Sequence, residues 1–152
     1  MERIICLAIG YLFGMFQTSY IIGKIHHMDI RQYGSGNAGT TNALRTLGKK
    51  AGAMTLIGDM LKCVIAILIV DAVFKNRYQE ILPLLGMYTA AGCVLGHNFP
   101  FYLGFRGGKG IAASAGMLLA MDWRVFLICA VIFIGLVAIT RYVSLGSMAA
   151  YV

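Results

Sequence analysis

Between Arg3 and Lys24 lie twenty residues without a charge, the length a helix needs to cross a ~30 Å hydrocarbon layer. A backbone in lipid must satisfy its polar groups within its own element, so such a run dictates a helix. Further apolar runs follow at 51–74 (interrupted by Asp59 and Lys62), 81–96, 110–121 and 125–140, and a sixth begins at Tyr142. The first run has the position of a secretory signal, but it lacks an A-x-A cleavage pattern and more spans come after it. It reads as a retained helix. The chain is 59% hydrophobic and 12% charged, against ~25% charged in a soluble domain. That excludes a disordered chain and disfavours a soluble globule. The expected fold is all-α: one membrane-embedded domain over residues 1–152, a polytopic helix bundle of five spans plus the start of a sixth.

The charges set an orientation. With the N-terminus outside, the inner loops hold Lys24, Arg31, Arg45, Lys49, Lys50, Arg106, Lys109 and Arg141, while the outer segments hold only Arg3, Lys75, Arg77 and Arg124. Positive residues concentrate on the cytoplasmic side, which favours N-out. The net charge of +7 suits anionic headgroups. Nucleic-acid binding would need a basic stripe with stacking aromatics in soluble elements, whereas here the aromatics sit in apolar runs. Cys6, Cys63, Cys93 and Cys129 all lie in such runs with no CxxC pair, so four buried, unpaired thiols are expected rather than zinc or disulfides.

Most of the chemistry-bearing residues fall in the inner loops. The first reads Gly34-Ser35-Gly36-Asn37-Ala38-Gly39-Thr40-Thr41-Asn42-Ala43-Leu44-Arg45. It contains a G-x-G-x-x-G, yet no strand precedes it and the acid at the right distance, Asp59, sits in an apolar span. A dinucleotide site therefore fails on context. Glycines let the backbone approach an anion, and the amides with Ser35, Thr40, Thr41 and Asn42 can donate to it. Arg45 adds a fork suited to phosphate. A tight turn with capping residues before a helix is the plainer alternative.

The second loop runs from Gly96-His97-Asn98-Phe99-Pro100 to Arg106-Gly107-Gly108-Lys109-Gly110. It is not a Walker A sequence, because Leu103 replaces a required glycine and Gly110 replaces Ser or Thr. A glycine run with a lysine just before an apolar helix still makes an anion cradle. Arg106 and Lys109 snorkelling to headgroups is the bland reading. The third loop, Thr140-Arg141-Tyr142-Val143-Ser144-Leu145-Gly146-Ser147, again sets an arginine and hydroxyls at the inner boundary. Together the three suggest one composite site for a phosphorylated ligand.

Other features carry less. His26 and His27 lack the further donors a metal needs. No Asp follows His97 after four intervening residues, so the His-x4-Asp pair of soluble acyltransferases is missing. Asp59 and Lys62 lie one helical turn apart and can pair; unpaired, each costs ~2.5–3.5 kcal/mol at a helix centre. A structural pair and a polar cavity lining both fit. Gly10 and Gly14 form a G-x-x-x-G, expected to serve close helix packing.

These loops resemble the three motifs of the bacterial acyl-phosphate:glycerol-3-phosphate acyltransferases, the PlsY family. The resemblance rests on Ser35-Gly36-Asn37-Ala38-Gly39-Thr40-Thr41-Asn42 with Arg45, on Gly96 through Gly110, and on Thr140-Arg141-Tyr142-Val143-Ser144-Leu145. It runs in order along the chain and includes Asp59 and Lys62. Ala38 stands where the family usually has Pro, and Arg106 where Lys is common. Family members carry further C-terminal spans and a cytoplasmic segment with His and Asn, so a chain ending at Val152 is expected to be C-terminally short.

The resemblance implies a multi-pass enzyme of the bacterial plasma (inner) membrane with its site facing the cytoplasm. It would move a fatty acyl group from acyl phosphate to the 1-hydroxyl of glycerol 3-phosphate, giving lysophosphatidate and phosphate, with no metal or cofactor. Acyl phosphate is already activated, so the protein mainly holds two phosphates and aligns a hydroxyl with a carbonyl. Lys109, Ser35, Ser144 and His97 are the expected catalytic residues. Gly36, Asn37, Thr41, Asn42, Arg45, Gly107, Gly108 and Arg141 are the expected phosphate-binding ones. The Gly107 and Gly108 amides would assist Lys109, Asn37 and Asn42 would order the first loop, and His97 would be a positioning donor. Membrane lipid is the expected surrounding partner; oligomeric state is open. A small anion transporter would predict two repeated halves, and no internal repeat is visible. A non-catalytic remnant would bind without turnover.

Overall fold

The computed structural model describes residues 1–149, so the last three positions of the sixth apolar run lie outside the described residues. Those described form eight α-helices joined by short 3-10 turns, with no strand among them. In order they are α1 (Glu2–Gly14), α2 (Thr18–Ile25), α3 (Thr40–Leu47), α4 (Lys49–Phe74), α5 (Leu82–Asn98), α6 (Ile111–Met121), α7 (Trp123–Thr140) and α8 (Val143–Ala149). Three segments are long and apolar enough to cross a membrane: Glu2–Ile25, Lys49–Phe74 and Trp123–Thr140. α6 has 11 residues, hence a length of about 17 Å and about half a bilayer core.

α4 occupies the centre and touches α1, α2, α3, α5 and α6. Its buried residues recur at helical spacing: Ala51, Thr55, Asp59, Lys62, Ala66 and Val70 among them. Met54, Ile57, Leu61, Ile65 and Leu68 face outward. A helix with charges inside and aliphatics outside inverts the soluble pattern, as expected where lipid is the solvent. α7 has no buried residue, and Asp122 caps its start, accepting from the Arg124 and Val125 amides at 2.8 and 3.3 Å.

α1 and α5 pack backbone to backbone. A Cβ on Gly10 or Gly14 would overlap the Thr89 or Cys93 carbonyl, and one on Gly92 or Gly96 would overlap that of Leu7 or Tyr11. The G-x-x-x-G of α1 thus meets a second one on α5, and its role is packing within the chain. The first apolar run is not one helix, as the sequence suggested, but breaks between Gly14 and Thr18. Three of the four thiols are buried as expected; Cys129 is only half-buried, because α7 lies at the edge. All four are free.

Candidate functional site

A helix break inside lipid is tolerated only where its freed polar groups find protein partners. Gln17 is extended at φ −104°, ψ 94°, which leaves the preceding carbonyls without helical partners. Tyr102 donates its hydroxyl to the Met15 carbonyl at 2.8 Å, and Lys62 Nζ donates to that of Phe16 at 2.6 Å. Gln17 Nε2 donates in turn to the His97 carbonyl at 2.8 Å. The break is therefore stapled to the start of the second glycine loop.

Lys62 is the hub. Its ammonium also donates to Asp59 Oδ1 at 2.9 Å and to His97 Nδ1 at 2.8 Å. Thr18 Oγ1 adds a second donor to Asp59 Oδ1 at 3.1 Å. Lys62 is 4% exposed, His97 2% and Asp59 not at all. Of the two openings left by the sequence, the structural Asp59–Lys62 pair forms.

The second loop closes on itself. The Gly107 amide donates to the Asn98 carbonyl at 3.1 Å and the Gly108 amide to that of His97 at 3.0 Å. Only glycine fits here, because a Cβ on Gly108 would fall on the His97 ring. This corrects the expectation that both amides face an anion: they bond the loop's own carbonyls. Lys109 and Arg106 instead project as exposed side chains, and Gly110 at φ 78° opens α6.

In the first loop, Asn42 is buried and acts as an internal clamp. Its Oδ1 accepts from the Ser35 amide, and its Nδ2 donates to the Ile30 and Tyr33 carbonyls, each at 3.0 Å. Asn42 is thereby committed to ordering the loop rather than open to a phosphate. Ser35, Gly36 and Arg45 are exposed; Asn37 and Thr41 are half-buried. Asn42→Ala removes three hydrogen bonds and strands the buried Ile30 carbonyl, so a loss of about 2–4 kcal/mol is expected. Thermal unfolding in detergent checks this; an unchanged melting temperature would show that the loop does not depend on the clamp.

Two contacts join these loops. The Ala38 amide donates to the Gly107 carbonyl at 3.4 Å, and Arg31 Nη1 donates to the Leu103 carbonyl at 2.8 Å. Arg31 also grips Asp29, with Nη2 to Oδ2 at 2.7 Å and Nε to Oδ1 at 3.0 Å. These bonds hold the Asp29 carboxyl below its ordinary value. Its contribution to the junction is therefore complete above about pH 3.8 and is lost only as pH falls through the lowered value. Between the loops lies a cavity of about 540 Å³ bordered by Asp29, Arg31, Gly36, Leu103, Gly104 and Arg106. Arg45, Arg106, Lys109 and Arg141 have no acidic partner among the described residues.

The third loop stands apart in its bonding. Arg141 is exposed at φ 60°, Ser144 is exposed, and the hydrogen bonds of Thr140 and Ser147 are local. No hydrogen bond or ion pair among the described residues brings Ser144 or Arg141 to the first two loops. His26 and His27 are exposed, and no group of metal-ligating side chains occurs among the described residues. Two residues escaped the sequence reading as site elements: Gln17 and Arg31. Gln17 carries the signal, being an amide inside a charge-free span that must find a partner. The long-range role of Arg31 leaves none.

The geometry has close counterparts. A family model described as glycerol-3-phosphate acyltransferase matches residues 4–152. The glycerol-3-phosphate acyltransferase of Clostridioides difficile is 55% identical over 147 residues, covering 95% of this chain and 71% of that protein. That of Lactiplantibacillus plantarum is 46% identical over 154 residues, covering 99% of this chain and 71% of the relative. Among solved structures, the integral membrane glycerol 3-phosphate acyltransferase PlsY in its glycerol 3-phosphate form superposes with a TM-score of 0.83 at 35% identity, covering 99% of this chain and 72% of that one. Its lysophosphatidic acid form superposes with a TM-score of 0.81.

Proposed function

The chain belongs to the glycerol-3-phosphate acyltransferase family, and we propose that it transfers a fatty acyl group from acyl phosphate to the 1-hydroxyl of glycerol 3-phosphate, yielding lysophosphatidate and phosphate. The observation that carries this reading is where the two glycine loops meet. The second loop is tied through Gln17 and Lys62 to the α1–α2 break, where Phe16 and Lys62 line a groove of about 500 Å³ together with Leu12, Phe13, Leu61 and Ile65. An apolar groove suits an acyl chain arriving from the bilayer, and Lys62 links its wall to His97 and so to Gly108.

Lys109 takes the acyl-phosphate charge, and Ser35 and Arg45 take the phosphate of glycerol 3-phosphate, with Gly36, Asn37 and Thr41 lining that side. Ser144 and Arg141 are assigned to the same substrates, although no hydrogen bond or ion pair among the described residues joins the third loop to the other two. The hydroxyl oxygen attacks the acyl carbon, the carbon–oxygen bond to phosphate breaks, and the released phosphate accepts the hydroxyl proton. Alignment and charge stabilisation then supply most of the acceleration. Residues 1–152 form a single membrane domain of five spans and the start of a sixth, embedded in lipid. With the N-terminus outside, the loops face the cytoplasm of a bacterial plasma membrane, in keeping with their excess of Lys and Arg.

Detergent-purified chain given palmitoyl phosphate and glycerol 3-phosphate is expected to release phosphate, with lysophosphatidate confirmed by mass and palmitoyl-CoA as donor control. Leu61→Trp, which narrows the groove, is expected to shift preference to shorter acyl phosphates. Product from the CoA donor alone, or uptake by proteoliposomes without conversion, would overturn the reading.

A further inference from the structure

An ammonium group has three protons to give and nothing to accept with. Lys62 gives all three, to the Phe16 carbonyl, Asp59 Oδ1 and His97 Nδ1. Because Nδ1 must accept, the proton of the neutral ring sits on Nε2, the atom that a Cβ on Gly108 would strike. The backbone of the same histidine is held too: its carbonyl receives both the Gln17 amide and the Gly108 N–H. A buried ion pair in α4 thus fixes the ring and main chain of the residue against which the glycine loop is folded. Buried charges in a span are costly to keep, and this pair sits where the geometry of Gly107-Gly108-Lys109 is decided.

We propose that Lys62, held by Asp59, is a positioning residue: it sets the tautomer and plane of His97 so that the Gly108 backbone packs against it and Lys109 is presented to the acyl phosphate. This rests on the acyl-transfer reading above, but its structural half can be tested without turnover. Removing one member of a buried pair leaves an uncompensated charge, whereas removing both is often tolerated. The informative variant is therefore Asp59→Asn with Lys62→Met, made in the full chain in detergent and compared with Gly108→Ala, which displaces the ring from its other side.

In the paired variant, amide exchange of residues 99–110 is expected to accelerate about tenfold while residues 85–96 in the α1–α5 interface stay protected. KM for acyl phosphate is expected to rise about tenfold with KM for glycerol 3-phosphate unchanged, as misplacement of one substrate requires. Mere loss of folded enzyme would lower the apparent kcat and move neither KM. If both changes act through the His97 ring, combining the pair with Gly108→Ala adds little. Unchanged exchange over 99–110, or effects that simply multiply, would overturn the proposal. Altered exchange in a chain whose parent shows no turnover would keep the positioning device and discard the acyl-transfer reading.

Discussion

Lys109→Ala is expected to lose about 10²–10³-fold in turnover, the scale for removing one preorganised charge stabiliser from a developing anion. The effect should be nearly free of a stability component. Lys109 is exposed and has no ion-pair partner among the described residues, so truncation strands nothing buried and the melting temperature should hold. The glycine amides do not supply a substitute, since those of Gly107 and Gly108 already donate to Asn98 and His97. That raises what is asked of the lysine charge. Lys109→Arg, which keeps the charge but changes its shape and reach, should retain part of the rate. Phosphate release from palmitoyl phosphate in the presence of glycerol 3-phosphate reads both variants. Full turnover by Lys109→Ala would remove the central role assigned to it.

The spans were legible wherever composition alone decides a helix. The runs at 51–74 and 125–140 reappear as α4 and α7 with ends moved by two residues at most, because lipid leaves an apolar segment no other way to satisfy its backbone. The break at 15–17 was hidden, since no proline marks it. It exists because Lys62 and Tyr102, distant in sequence, take up the carbonyls it frees. The loops were legible as chemistry but not as geometry. Glycine spacing identified backbone that must come close to something, without saying that for Gly108 the neighbour is the His97 ring. Asn42 stood among hydroxyls and amides that all look like phosphate donors; only its three bonds separate a clamp from a ligand. The junction of the loops through Ala38 and Gly107 joins positions far apart in the chain, and no local pattern encodes it.

Two helical glycines should respond with opposite signs to the same added methyl. At Gly92 a Cβ would overlap the Leu7 carbonyl and lie 2.9 Å from the Tyr11 amide nitrogen. Both are backbone, so relief requires α1 to move away from α5. Gly92→Ala is therefore expected to cost about 1–3 kcal/mol as an overpacked contact. Gly92→Leu should separate the helices and abolish the folded state. At Gly135 on α7 nothing lies within 4 Å of the same atom; there alanine only improves helix propensity, a gain of up to about 1 kcal/mol. The contrast isolates packing from propensity, because both sites are helical and neither requires a positive φ. The consequence reaches the site as well. α1 ends at the break whose carbonyls bind Tyr102 and Lys62, and α5 carries His97 in its last turn. Forcing those helices apart pulls the two halves of the loop junction in different directions. Thermal unfolding and turnover in detergent should fall together for Gly92→Ala and stay intact for Gly135→Ala. Equal melting temperatures for the two variants would mean that the α1–α5 seam does not hold the bundle together.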